Sequence, residues 1–129
     1  MRLDLTAFTN AIARLREAID VYARDPSQSL IRDGVIQRFG FTYELAHKKL
    51  RRALKTESAS PDQYEQMSFA DLIRSGSAQG LLLGDWPQWR TYRDMRSKTN
   101  HAYDEAITLE VVGGIAGFLR DAEHLRDRL

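Results

Sequence analysis

At 129 residues the chain has the length of one ordinary domain, so residues 1–129 are read as a single unit with one continuous core. Its 19 basic residues stand against 18 acidic ones, and a formal net charge of +1 favours neither nucleic acid nor any other charged partner. There is no cysteine, which excludes a disulfide scaffold, a thiolate zinc site and a cysteine nucleophile together. The opening stretch MRLDLTAFTNAIARLREAID is charged throughout, unlike a signal peptide or a membrane span, and no other segment approaches the ~20 apolar residues a span needs. A cytoplasmic protein without membrane contact is expected.

Leu5, Phe8, Ile12, Leu15, Ile19 and Tyr22 recur at spacings of three and four, which predicts a first helix with a full apolar stripe. Asp25-Pro26-Ser27 ends it, because proline cannot continue the hydrogen-bond ladder. A second helix is predicted from Ser29 to Lys55, with Ile31, Val35, Phe39, Ala46, Leu50 and Ala53 on one side. Gly34 and Gly40 lie inside it and suggest close packing or a bend. The segment TESASPDQ reads as a linker, and Ser60-Pro61 as an N-cap followed by proline at the first helical position. A less regular third helix then carries Phe69, Leu72 and Ile73 before the glycine-bearing SGSAQGLLLGD. Asp85 is the expected cap of a fourth helix, marked by Trp86, Trp89, Tyr92 and Met95 and ending near Lys98. The last helix has the clearest stripe, Ile107, Val111, Ile115, Phe118, Ala122, Leu125 and Leu129, with Asp104 as its N-cap. No strand alternation or repeat is present, so the expected fold is all-α, an antiparallel up-and-down bundle of four long helices and one short one.

The segment RSKTNHAYDE, Arg96 to Glu105, spans the joint between the fourth and fifth helices. Residues five apart on one helix are rotated by ~140°, so Arg96 and His101 can converge only if the helix ends between them. Ser97, Thr99 and Asn100 favour such a break. Polar groups gathered there could meet a phosphate, since N–H groups at the start of the next helix attract anions. The plainer alternative is that Arg96 caps carbonyls and His101 merely satisfies the turn. A second feature is HKKLRRALK, in which Lys48, Lys49, Arg51, Arg52 and Lys55 form either an RNA-tracking surface or a solvated face near a helix C-terminus. Trp86, Trp89 and Tyr92 are spaced for a helix's inner face rather than for base stacking. Glu44 near His47 does not make a metal site, given so few histidines and no clustered carboxylates.

RDGVIQRFGFTYELAHKKL, Arg32 to Leu50, resembles the second-helix signature of the nucleotidyltransferase substrate-binding proteins, a family of the HEPN superfamily. The Ser-Pro pair and RSKTNHAYDE fall where that family has their counterparts, so the resemblance covers nearly the whole chain. It implies an antiparallel helical bundle that forms a homodimer and assembles with a small MNT-type nucleotidyltransferase encoded nearby. HEPN proteins with R-x4-H are commonly metal-independent RNA endonucleases, and those with R-x4-H-x-Y are toxins whose partner, the antitoxin, adds AMP to the tyrosine. Carried onto this chain, Arg96 and His101 become catalytic, Tyr103 the modified residue, and Ser97, Asn100 and Asp104 their support, with no cofactor or metal. Ser97 stands where the family often has asparagine, Gly40 where glutamate is usual, and His47 where tryptophan is usual. The alternative is a non-catalytic subunit that presents substrate to the nucleotidyltransferase.

Overall fold

The structure is a computed structural model and describes residues 3–129. Helix α1, Thr6–Arg24, buries Phe8, Ile12, Leu15 and Ala18, while Leu5, Ile19 and Tyr22 pack at the margin of the same core. The Asp25 carboxylate ends it by accepting from the Ser27 N–H at 3.1 Å and from Gln28 Nε2 at 3.1 Å, a local ring that favours a turn over another helical residue. Helix α2, Ser29–Glu57, is the longest and packs against every other helix. Its inner face is wider than a simple stripe. Ile36, Tyr43 and Leu54 are buried together with Val35, Phe39, Ala46 and Leu50, because helices lie against it on more than one side.

The expected third helix is two pieces, α3, Asp62–Glu65, and α4, Phe69–Ala78. The break comes at Ser68, whose hydroxyl accepts from the Asp71 N–H at 3.2 Å and starts α4 as a side-chain cap. Ser60 has no such role. Pro61 occupies the N-cap position of α3 without a side-chain bond, and Ser60 contributes only its carbonyl, which accepts from the Gln63 N–H at 3.2 Å. At the far end of α4, Gly80 takes φ 76°, and the Leu81 N–H reaches back to the Gly76 carbonyl at 2.9 Å. That closing turn needs a glycine, since a Cβ is strained at such a φ.

Helix α5, Trp86–Lys98, begins after Asp85, whose side chain makes no capping bond; Pro87 in the first turn sets the start instead. Helix α6, Glu105–Arg128, is capped by Asp104, whose Oδ1 accepts from the Ile107 N–H at 3.3 Å. The four long helices α1, α2, α5 and α6 form the bundle, and α3 and α4 cover one side of it. At its centre Phe118 meets the rings of Phe39 at 5.0 Å, Tyr92 at 5.2 Å and Trp89 at 5.9 Å. Trp89 and Tyr92 of α5 are therefore core, whereas Trp86 is half-buried at its margin, against Phe69 and under the Arg93 guanidinium. Among the described residues no helix is long and apolar enough to cross a membrane.

Candidate functional site

Helix α5 ends at Lys98, and Thr99–His101 continue as one 3-10 turn before Asp104 opens α6. The break predicted between Arg96 and His101 is present. It is held from below by the buried Thr108 hydroxyl, which lies 3.0 Å from the Ala102 carbonyl and 2.9 Å from that of Asp104. Ion pairs fasten the same corner, Lys98 to Glu110 at 2.8 Å and Arg32 of α2 to Glu105 at 3.6 Å.

Arg96 does not cap the end of its helix. Its backbone carbonyl accepts from Thr99 Oγ1 at 2.7 Å, and the guanidinium points away, across to α2. There Nε donates to Glu44 Oε1 at 3.2 Å, while Nη1 donates to Thr99 Oγ1 at 2.8 Å. The group faces α2 at Gly40, where an added Cβ would sit 3.6 Å from Arg96 Cζ and Nε. A guanidinium has five N–H donors, so two engaged leave three free. They border a groove of ≈ 730 Å³ between α1 and α2, whose walls include Asn10, Gln37, Phe41 and Leu45.

His101 and Tyr103 are exposed on the other side of the break, Tyr103 at 84%. His101 Nδ1 lies 3.1 Å from the Tyr103 hydroxyl, and their rings meet edge to face at 5.8 Å. That bond occupies one ring nitrogen and leaves Nε2 for a proton transfer. Among the described residues no hydrogen bond joins Arg96 to His101; one junction displays two adjacent pairs, Arg96 with Glu44 and His101 with Tyr103. Ser97 and Asn100 are exposed and make no side-chain hydrogen bond there, whereas Asp104 serves as the α6 cap.

The basic segment of α2 divides in two. Arg51 is half-buried and donates to the Tyr64 carbonyl and, at 3.3 Å, to that of Met67, so it ties α3 and the following turn to α2. Lys55 is paired with Glu65. Those two are fold fastenings. Lys48 and Arg52 are exposed, Lys49 is half-exposed, and among the described residues none of the three forms an ion pair. They border a hollow of ≈ 780 Å³ that shares Glu44 and Leu45 with the groove at Arg96, so free cations continue along α2 from the junction. His47 turns inward and packs edge-on to Phe69 at 4.5 Å; burial and the nearby Arg51 charge hold its pKa below the usual value. Among the described residues no group of three His, Asp or Glu side chains is placed to hold a metal ion.

Glu44 and Thr99 are the site residues that motif reading missed. Thr99 reads from sequence as a helix breaker only, and Glu44 lies 52 positions from its partner. No spacing rule links residues that far apart.

The profile of a family described as nucleotidyltransferase substrate binding protein like matches residues 3–129. The chain belongs to this family. It is 35% identical over 109 residues to a curated protein of Haemophilus influenzae called probable ribonuclease HepT, covering 81% of this chain and 74% of that one. A solved structure from Haemophilus influenzae, described as the fold of a substrate-binding domain of a nucleotidyltransferase, superimposes with a TM-score of 0.90. That protein is 29% identical, and the match covers 97% of this chain and 98% of the other.

Proposed function

We propose that the chain is a metal-independent RNA endonuclease of the HEPN type and the toxin of a toxin–antitoxin pair. The observation that carries this reading is the α5–α6 break. It carries a held arginine with three free N–H donors on one side and an exposed histidine on the other, two groups suited to phosphate chemistry without a metal. The likeness to a probable ribonuclease supports it.

The reaction proceeds by attack of a ribose 2′-oxygen on the adjacent phosphorus. A base takes the 2′-hydroxyl proton, the P–O5′ bond breaks, and an acid protonates the departing 5′-oxygen. The products are a 2′,3′-cyclic phosphate and a 5′-hydroxyl. His101 suits either proton transfer because the ordinary histidine pKa of ~6.5 lies near working pH. Arg96 suits the charge on phosphorus through its planar fork of donors. One junction supplies one motif histidine, and the reaction needs an acid and a base, so two copies related by a two-fold axis complete the site. Lys48, Lys49 and Arg52 hold the RNA backbone leading away from it.

Tyr103 is the off switch. Its oxygen attacks the α-phosphorus of ATP held by the partner nucleotidyltransferase, the phenolic proton goes to solvent, and pyrophosphate leaves. The attached AMP adds bulk and negative charge where an RNA phosphate must enter. It also removes the free hydroxyl that His101 meets at 3.1 Å.

The test is cleavage of RNA by the purified chain in chelator, with His101→Ala alongside. Cleavage by the unaltered chain and none by the variant is expected; undiminished cleavage by His101→Ala would sink the reading. The second reading is a non-catalytic subunit that presents substrate to a nucleotidyltransferase, favoured by the descriptions of the family and of the solved relative. It predicts no RNA cleavage, and no growth arrest when the chain is expressed alone.

A further inference from the structure

We infer that Glu44 is the positioning residue of the site, clamping the Arg96 guanidinium so that its unused edge faces an incoming RNA phosphate. The inference rests on the endonuclease reading and adds a third residue to it.

The Arg96–Glu44 pair joins α5 to α2, with side chains 35% and 49% exposed. Pairs that open to water contribute little to folding, so stability does not explain its geometry. Orientation does. Nε is held by Glu44 Oε1 at 3.2 Å, and Nη1 by Thr99 Oγ1 at 2.8 Å. Because the guanidinium is planar and rigid, fixing Nε and Nη1 fixes the direction of Nη2 as well. The guanidinium passes over α2 one turn before Glu44, where an added Cβ at Gly40 would meet it in ordinary contact at 3.6 Å. What remains is the Nη2 edge, which carries no protein partner among the described residues.

A clamp of this kind has a kinetic signature. The Glu44 carboxylate also repels a phosphate and partly neutralises the arginine, so its removal does not weaken RNA capture. It releases the arginine from the geometry the transition state needs. Loss of Glu44 therefore lowers kcat and leaves KM unchanged or smaller, the mark of an interaction that matters in the transition state. Glutamine keeps an Oε1 acceptor for the Nε–H and discards the charge, so it separates orientation from electrostatics.

The experiment compares Glu44→Ala and Glu44→Gln with the unaltered protein by steady-state RNA cleavage and by the NMR signal of the Arg96 Nε–H. For Glu44→Ala we expect kcat to fall about 10²-fold with KM no higher, and the Nε–H signal to move to the position of a free arginine. For Glu44→Gln we expect most of kcat and a shifted but still ordered signal. A full kcat for Glu44→Ala, or a loss expressed wholly in KM, overturns the inference. So does a glutamine variant as impaired as the alanine one. If the unaltered protein cuts no RNA, the endonuclease reading fails by itself. The NMR comparison still decides whether Glu44 holds Arg96: a free-arginine signal in the unaltered protein rejects the clamp.

Discussion

Helix α5 carries two donors one turn apart, each paired with a carboxylate from another helix, and the two pairs have opposite characters. Tyr92 donates to Asp121 of α6, whose second oxygen accepts from the Gly84 N–H at 2.8 Å. Asp121 is only 4% exposed, and burial together with its charge pushes the Tyr92 hydroxyl well above the usual tyrosine pKa. Each group there has its partner inside the fold, so the cluster binds α5, α6 and the loop before α5 into one unit. Arg96, four residues on, meets Glu44 at the surface and keeps three donors unmatched. The closed pair serves stability, and the open one keeps donors available to a ligand. Burial and spare hydrogen-bonding capacity separate them, since the chemistry of donor and carboxylate is similar in both.

The sharpest way to break this contrast is to exchange the readouts. Arg96→Ala is expected to cut the RNA cleavage rate by about 10²–10⁴-fold, while urea denaturation shifts by no more than an exposed pair contributes, about 1 kcal/mol. Asp121→Ala is expected to do the reverse. It leaves the Tyr92 hydroxyl and the Gly84 N–H without their acceptor, costing about 1.5–3 kcal/mol in urea denaturation, with the cleavage rate per folded molecule unchanged. A stable Asp121→Ala protein, or an Arg96→Ala protein that unfolds easily, would dissolve the distinction.

A smaller effect concerns His47, which faces the same hollow as the free cations but points into the core. Its folded-state pKa lies below the ordinary histidine value of 6.5, so between the two values the unfolded chain binds more protons than the folded one. The stability from keeping His47 neutral is therefore complete above about pH 6.5 and is lost as pH falls below it. Denaturation midpoints for the unaltered protein and His47→Phe should converge or cross in that acid window; parallel curves would show that His47 does not titrate as described. The smallest effects are at Gly40 and Gly114. An added Cβ makes ordinary contact with Arg96 at 3.6 Å, so Gly40→Ala should gain about 0.5–1 kcal/mol from helix propensity without loss of cleavage. At Gly114 the same change brings Cβ to 2.7 Å from Met95 Sδ, so the end of that flexible side chain must move aside and the gain should be smaller than at Gly40.

The long helices were legible because their apolar stripes repeat at short range, from Phe8 to Leu15 in α1 and from Val111 to Leu125 in α6. The Arg96–His101 break was legible for the same reason, as five-residue spacing on a helix has one geometric consequence. What escaped depends on partners brought together by the fold. Arg51 reads as one more cation in a basic run until α3 and the turn after it bring their carbonyls, 13 and 16 residues later. Ser68 looks like any serine inside a helical stretch, and only its bond to Asp71 shows that α4 starts there. Glu44 and Asp121 were hidden likewise, because each acts through a donor on α5 that no local pattern connects to it.

The most direct test of the central claim is the chemistry of the RNA ends left by the purified chain in the presence of chelator. Attack by the 2′-hydroxyl at a site built from Arg96 and His101 predicts 2′,3′-cyclic phosphate and 5′-hydroxyl termini by mass spectrometry. It also predicts no cut in an oligonucleotide whose target ribose lacks that hydroxyl. Termini bearing 3′-hydroxyl and 5′-phosphate, or undiminished cutting of the 2′-deoxy substrate, would contradict it.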